Sequence, residues 1–126
     1  FDRCPNLKIV SVESGIGWIP FVLESIDYEW IETGAQKGMP LKMMPSEYFR
    51  DHFWGCFWFE RVAPTRLIDV IGEDNVLFET DFPHPTCLYP NVQEFIAEIS
   101  VDWSETRKRK ILQDNASKLY GIDLPG

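Results

Sequence analysis

The segment Asn75-Val76-Leu77-Phe78-Glu79-Thr80-Asp81-Phe82-Pro83-His84-Pro85 constrains this chain more than any other stretch. Val76, Leu77 and Phe78 form an apolar run of β-branched and aromatic character, too short for a helix and suited to a buried strand. Gly72-Glu73-Asp74-Asn75 supplies a turn before it, and Pro83 and Pro85 stop any ladder from continuing after it. Asp81 therefore stands just past the carboxyl end of a strand, where parallel α/β folds hold their chemistry. With His84 three residues on, a carboxylate there can bind a metal or move a proton. Spacing alone equally allows an Asp that only caps the turn.

Strand and helix patterns alternate three times, which predicts an α/β fold of parallel βαβ units. The strands are expected over residues 7–12, 53–59 and 76–80. Phe1 to Asn6 reads as the end of a helix and a turn. The first strand runs into Glu13-Ser14-Gly15-Ile16-Gly17, and a helix follows to about Ile31 with Pro20 in its first turn. Gly34, Gly38, Pro40 and Pro45 make residues 33–45 a surface connection. Ser46 is expected to cap a short helix to about Asp51. The second strand, residues 53–59, is apolar on both faces and must be covered on both. A helix from Pro64 to Ile71 closes at Gly72. Further helices are expected from about Val92 to Ser100 and from Glu105 to Gln113, the latter capped by Ser104. Asp114 should cap a final turn that Gly121 stops.

Charge excludes two classes of partner. Twenty acids against twelve bases give a net charge of −8, which disfavours nucleic acid and anionic membrane surfaces. No apolar run reaches the ~18 residues of a membrane span. Cys4, Cys56 and Cys87 are odd in number and widely spaced, which points to reduced thiols and a cytoplasmic location. Gly15-x-Gly17 matches only part of a dinucleotide fingerprint, since Pro20 stands at the third glycine position.

Several segments, in the same order, resemble the amidohydrolase-related metal-dependent hydrolases, the branch that includes aminocarboxymuconate-semialdehyde decarboxylases. Leu7-Lys8-Ile9-Val10 leading to Glu13-Ser14-Gly15-Ile16-Gly17-Trp18-Ile19-Pro20 is similar to that family's sixth strand and loop. Pro45-Ser46-Glu47-Tyr48-Phe49-Arg50 resembles its approach to strand seven, and Gly72 through His84 its eighth strand and loop. Lys110-Ile111-Leu112 and Asn115 through Gly121 match its closing helix. The resemblance implies one domain over residues 1–126, the last three βα units of a (β/α)8 barrel. A whole barrel needs about 250 residues. The family's His-x-His pair and fifth-strand His have no counterpart in this sequence.

The resemblance also implies roles. Asp81 matches the family's strand-eight aspartate, a metal ligand or a base toward metal-bound water. Glu13 stands where many relatives place a histidine, as a second metal ligand, a substrate contact or a carboxylate held by the loop's own amides. His84 is expected at the barrel mouth as an acid or as a turn residue. Trp18 and Glu60 are expected to meet substrate, Trp18 alternatively anchoring its helix, whereas His52, at the far end of the second strand, reads as structural. The implied cofactor is a divalent metal, zinc before manganese or magnesium. The implied activity is hydrolysis or decarboxylation of small organic acids, with the isolated chain inactive. The alternative is a non-catalytic half-barrel that assembles as a homodimer or larger homo-oligomer.

Overall fold

The computed structural model describes residues 1–124. Three strands, β1 (Ile9–Ser11), β2 (Phe53–Phe57) and β3 (Val76–Phe78), form one parallel sheet in that order. Ile9 pairs with Phe53 and Ser11 with Gly55; Gly55 pairs with Val76 and Phe57 with Phe78. All three strands are shorter than the sequence pattern predicts. The Glu79 amide still reaches the Phe57 carbonyl at 3.0 Å. Two residues later Asp81 turns left-handed at φ 59°, as does Glu13 after β1 at φ 53°, and the ladders end. With both neighbours turned away, Phe59 lies exposed instead of covered on two sides.

Register sorts the side chains onto two faces. Gly55, Phe57, Val76 and Phe78 face the helices, and a Cβ on Gly55 would lie 2.7 Å from Ile19 Cδ1, so glycine lets α1 (Ile19–Glu32) approach the sheet. Ile16, Ile19, Phe57, Val76, Ile99 and Ile111 are the centre of the apolar core. Cys56, Leu77 and Glu79 alternate onto the opposite face.

The helices depart from expectation in particular places. Residues 1–6 carry no helix; they form turns in which the Cys4 amide bonds Phe1 and the Leu7 amide bonds Cys4, both at 3.0 Å. The 33–45 connection holds a single turn, α2 (Ala35–Gly38). Ser46 does not cap α3 (Glu47–His52), because its backbone is already helical and its side chain is turned elsewhere. Its hydroxyl donates to Asp27 Oδ2 at 2.6 Å and its amide to Oδ1 at 2.9 Å, tying α3 to α1. The expected Pro64 helix is two pieces, α4 (Val62–Arg66) and α5 (Ile68–Ile71), closed by Gly72 at φ 100°. After α6 (Val92–Ile99), Ser104 caps α7 (Glu105–Arg109) as its position predicts, accepting the Arg107 amide at 3.1 Å. Asp114 starts no new helix. A π turn, Lys110–Asp114, carries α7 straight into α8 (Asn115–Tyr120), and the Asp114 carboxylate accepts from Arg109 instead.

Two buried asparagines position β3. Asn75 Nδ2 donates to the carbonyls of Phe49, Arg50 and Phe53 at 3.2, 2.9 and 2.8 Å. Asn115 Nδ2 donates to Glu73 at 2.7 Å and Val76 at 2.8 Å. Glu73 also takes Lys110 and Arg107, each at 2.9 Å, which holds its carboxyl below the usual range and ties the C-terminal helix to the entrance of β3.

Candidate active site

The carboxyl ends of β1 and β3 each finish on an acid in the left-handed region, Glu13 and Asp81. For residues with a Cβ this conformation costs about 1–2 kcal/mol, so neighbouring contacts must hold it.

At Asp81 those contacts are visible. The His84 amide bonds the Asp81 carbonyl at 2.8 Å, and the Leu88 amide bonds the Thr80 carbonyl at 3.0 Å, folding the segment back over the strand end. The Asp81 side chain is only 5% exposed, and its Oδ2 lies 3.1 Å from His84 Nδ1. Thr86 Oγ1 donates to the same Oδ2 at 3.2 Å and lies 2.8 Å from His84 Nδ1. A hydroxyl has one proton. Once it goes to Asp81, Thr86 can only accept from His84, which puts the imidazole proton on Nδ1. The ring is 56% exposed and leaves Nε2 as its free nitrogen.

Glu79, two residues before Asp81, shares the strand face opposite the helices. Its Oε1 accepts the Glu13 amide at 2.8 Å, joining the ends of β1 and β3 across the middle strand. Burial pushes the Glu79 carboxyl up, and the charges of Glu13 and Asp81 add to the shift. Beneath it, burial and the Glu79 charge push the Cys56 thiol up to about 12.

Glu60, just past β2, turns into the β1–α1 loop. One oxygen accepts the Ile16 amide at 2.7 Å and the other the Gly17 amide at 3.0 Å. The loop-amide cradle that the sequence allows for Glu13 is thus occupied by Glu60, while Glu13 is exposed. Trp18 is an anchor: its indole donates to the Gly15 carbonyl at 2.9 Å and its ring packs edge-on against Phe53. His52 is buried, its Nδ1 2.9 Å from the Leu7 carbonyl and its ring stacked on Phe1, in keeping with a structural role.

A family model described as amidohydrolase matches residues 1–122. The chain belongs to the amidohydrolase family. It is 29% identical to 2-amino-3-carboxymuconate-6-semialdehyde decarboxylase of Dictyostelium discoideum, over 98% of this chain and 33% of that protein. It is 30% identical to gamma-resorcylate decarboxylase of Polaromonas sp., over 98% of this chain and 37% of that protein. Among solved structures it resembles 5-carboxyvanillate decarboxylase LigW from Sphingomonas paucimobilis, with a TM-score of 0.77 and 31% identity over 98% of this chain and 36% of that one. An amidohydrolase from Mycobacterium avium subsp. paratuberculosis gives a TM-score of 0.79 and 33% identity over 98% of this chain and 30% of that one. The chain thus spans about a third of the length of the curated relatives it matches.

Within this amidohydrolase chain, Asp81 and His84 are brought together, and Glu13 is linked to them through Glu79. Among the described residues no three His, Cys, Asp or Glu side chains converge closely enough to hold a metal. The side chains present, Asp81, His84 and Glu13 among them, offer oxygen and imidazole donors of the chemistry a divalent ion takes. Sequence reasoning passed over Glu79 and Thr86. The period-2 alternation of a strand, which places residues 79 and 81 on one side, was the available signal for Glu79. For Thr86, whose contact depends on how the proline-rich segment folds back, no local pattern gives one.

Proposed function

We propose that this chain is the C-terminal part, the last three βα units of a (β/α)8 barrel, of a metal-dependent hydrolase or decarboxylase of small organic acids. The observation that carries the reading is the Asp81 carboxylate, nearly buried at the carboxyl end of β3 and paired with His84. The likeness to three decarboxylases supports the reaction class.

Asp81 serves as a metal ligand or as the base. Decarboxylation leaves an electron pair on carbon that takes up a proton, and hydrolysis takes one from water; both need a proton held at a fixed point. The Asp81–His84–Thr86 arrangement holds the Nδ1 proton and leaves Nε2, on a ring that is 56% exposed, to accept or return a proton. Asp81 stabilises the imidazolium while this happens. A divalent ion, zinc before manganese or magnesium, would polarise the substrate or its attacking water. Most of its ligands would come from the part of the relatives' length that this chain does not span. Glu13 contributes an oxygen to that ion or meets the substrate. Three cysteines free of disulfides suit a cytoplasmic setting.

A second reading, a non-catalytic half-barrel that oligomerises, is favoured by the outer edges of β1 and β3, which pair with no strand among the described residues. The native polypeptide separates the two. Mass spectrometry combined with elemental analysis should find a chain about three times this length carrying one divalent metal. A metal-free 14.7 kDa polypeptide would leave only the half-barrel.

A further inference from the structure

We infer that Glu60 and Glu79 are positioning residues: reaching from the ends of β2 and β3, their carboxylates grip the backbone of the β1–α1 loop and set where Glu13 stands. The inference deepens the proposed function, on which Glu13 matters to the chemistry.

Three amides of this loop bond to side-chain carboxylates. Glu13 N–H goes to Glu79 Oε1 at 2.8 Å, Ile16 N–H to Glu60 Oε2 at 2.7 Å and Gly17 N–H to Glu60 Oε1 at 3.0 Å. Bonds to an ionised acceptor are about twice as strong as neutral ones, and these come from segments 43 to 66 residues away in sequence. The loop is shaped to receive them. Gly15 sits at φ 68°, and a Cβ there would lie 2.7 Å from both Cδ and Oε2 of Glu60. On Gly17 it would lie 3.1 Å from Oε1. The Trp18 indole holds the Gly15 carbonyl at 2.9 Å, so the same turn is also fixed through its acceptor. Glu60 spends both oxygens on two different amides, which only a carboxylate can do: a glutamine has one acceptor oxygen.

The test is amide hydrogen exchange on the ¹⁵N-labelled chain. Glu60→Ala should speed exchange at Ile16 and Gly17 by about 10-fold or more, and Glu79→Ala should do the same at Glu13, with α6 amides unchanged. Glu60→Gln should protect one of its two amides and release the other. Wild-type exchange at all three amides in the alanine variants, or full protection of both by Glu60→Gln, would overturn the inference. If the alanine variants do not fold, Glu60→Gln decides it. Paramagnetic broadening by Mn²⁺ in the whole enzyme, where the remaining ligands are present, supplies a readout that packing would not move. There Glu60→Gln should weaken broadening at Glu13 and keep it at Asp81; equal broadening at both in the variant would count against positioning. No broadening at either residue of the whole wild-type enzyme would sink the metal reading, while the exchange rates still judge the brace.

Discussion

Glu79 and Glu13 meet although 66 residues separate them: a β3 carboxylate oxygen accepts the amide that follows β1 at 2.8 Å. The bond joins the two outer strands' ends above Cys56 and pins Glu13 in its left-handed conformation. It also brings a half-buried carboxylate near the charges of Glu13 and Asp81, and burial is the larger cause of its raised pKa.

That shift fixes a pH dependence. A carboxyl whose folded pKa lies above its unfolded value near 4.5 binds its proton more tightly in the native state. Its stabilising contribution is complete below pH 4.5 and is lost as pH rises through the raised folded value. Glu79→Gln keeps an oxygen for the Glu13 amide without the buried charge. The variant should melt above the wild type at pH 7, and the two curves should converge below pH 4.5. A Glu79→Gln variant that melts lower at pH 7 would show that the ionised bond outweighs the burial of its charge.

Asn75 makes a different kind of prediction. Its side-chain amide serves three backbone carbonyls around the entry to β2, and the residue is 3% exposed. Asn75→Ala removes the donor, leaving the Arg50 and Phe53 carbonyls without its amide and the Phe49 carbonyl with only the Phe53 N–H, at a cost of about 2–3 kcal/mol. Asn75→Asp should be worse, since it turns acceptor oxygens on carbonyls. Urea unfolding at neutral pH measures both, and equal midpoints for the two variants would mean that the carbonyls find water.

The order of the elements was legible because each announces itself locally: Val76-Leu77-Phe78 by β-branched and aromatic residues between a turn and two prolines, α6 by its spaced apolar face. Ser104 was legible as a cap for the same reason. Ser46 was not, because its partner Asp27 lies in another helix and no local signal names it. Nor could residue type show that Glu60, not Glu13, receives the loop amides: both acids follow strands, and only the relative placement of three strand ends decides between them. The break expected at Asp114 failed because a π turn lets the helix run on through a residue that usually starts one.

The cysteines should differ in reactivity. Cys56 is buried on the sheet face opposite the helical core with its thiol pushed up to about 12, so almost none of it is thiolate at neutral pH. Cys4 is exposed. Brief iodoacetamide treatment of the native chain, read by peptide mass spectrometry, should label Cys4 and spare Cys56 until denaturant is added. Equal labelling would mean that the face carrying Cys56 opens readily.

For the whole enzyme proposed above, the proton-holding role proposed for Asp81 predicts that Asp81→Asn lowers kcat by about 10²-fold or more. His84→Ala should also lower kcat, by removing the nitrogen that takes up and returns the proton. Thr86→Val, which leaves both groups but removes the shared hydroxyl, should fall between the wild type and these variants. A wild-type kcat in His84→Ala would assign the proton to another group and leave Asp81 as a ligand only.

Among the described residues, no strand lies beside the outer edges of β1 and β3. A second unpartnered surface lies on α1, where Phe21, Tyr28 and Ile31 are 74%, 63% and 52% exposed. Phe21 and Tyr28 are seven residues apart, two helical turns, so they form one stripe separate from the Ile19 face that enters the core. Exposed apolar surface of this kind on an isolated chain drives self-association. Light scattering of the purified chain should therefore give a mass that is a multiple of 14.7 kDa. Phe21→Glu with Tyr28→Lys should lower that mass if the α1 stripe is the contact. If the double variant keeps the assembled mass, pairing runs through the strand edges, whereas a monodisperse 14.7 kDa wild type would dispose of self-assembly altogether.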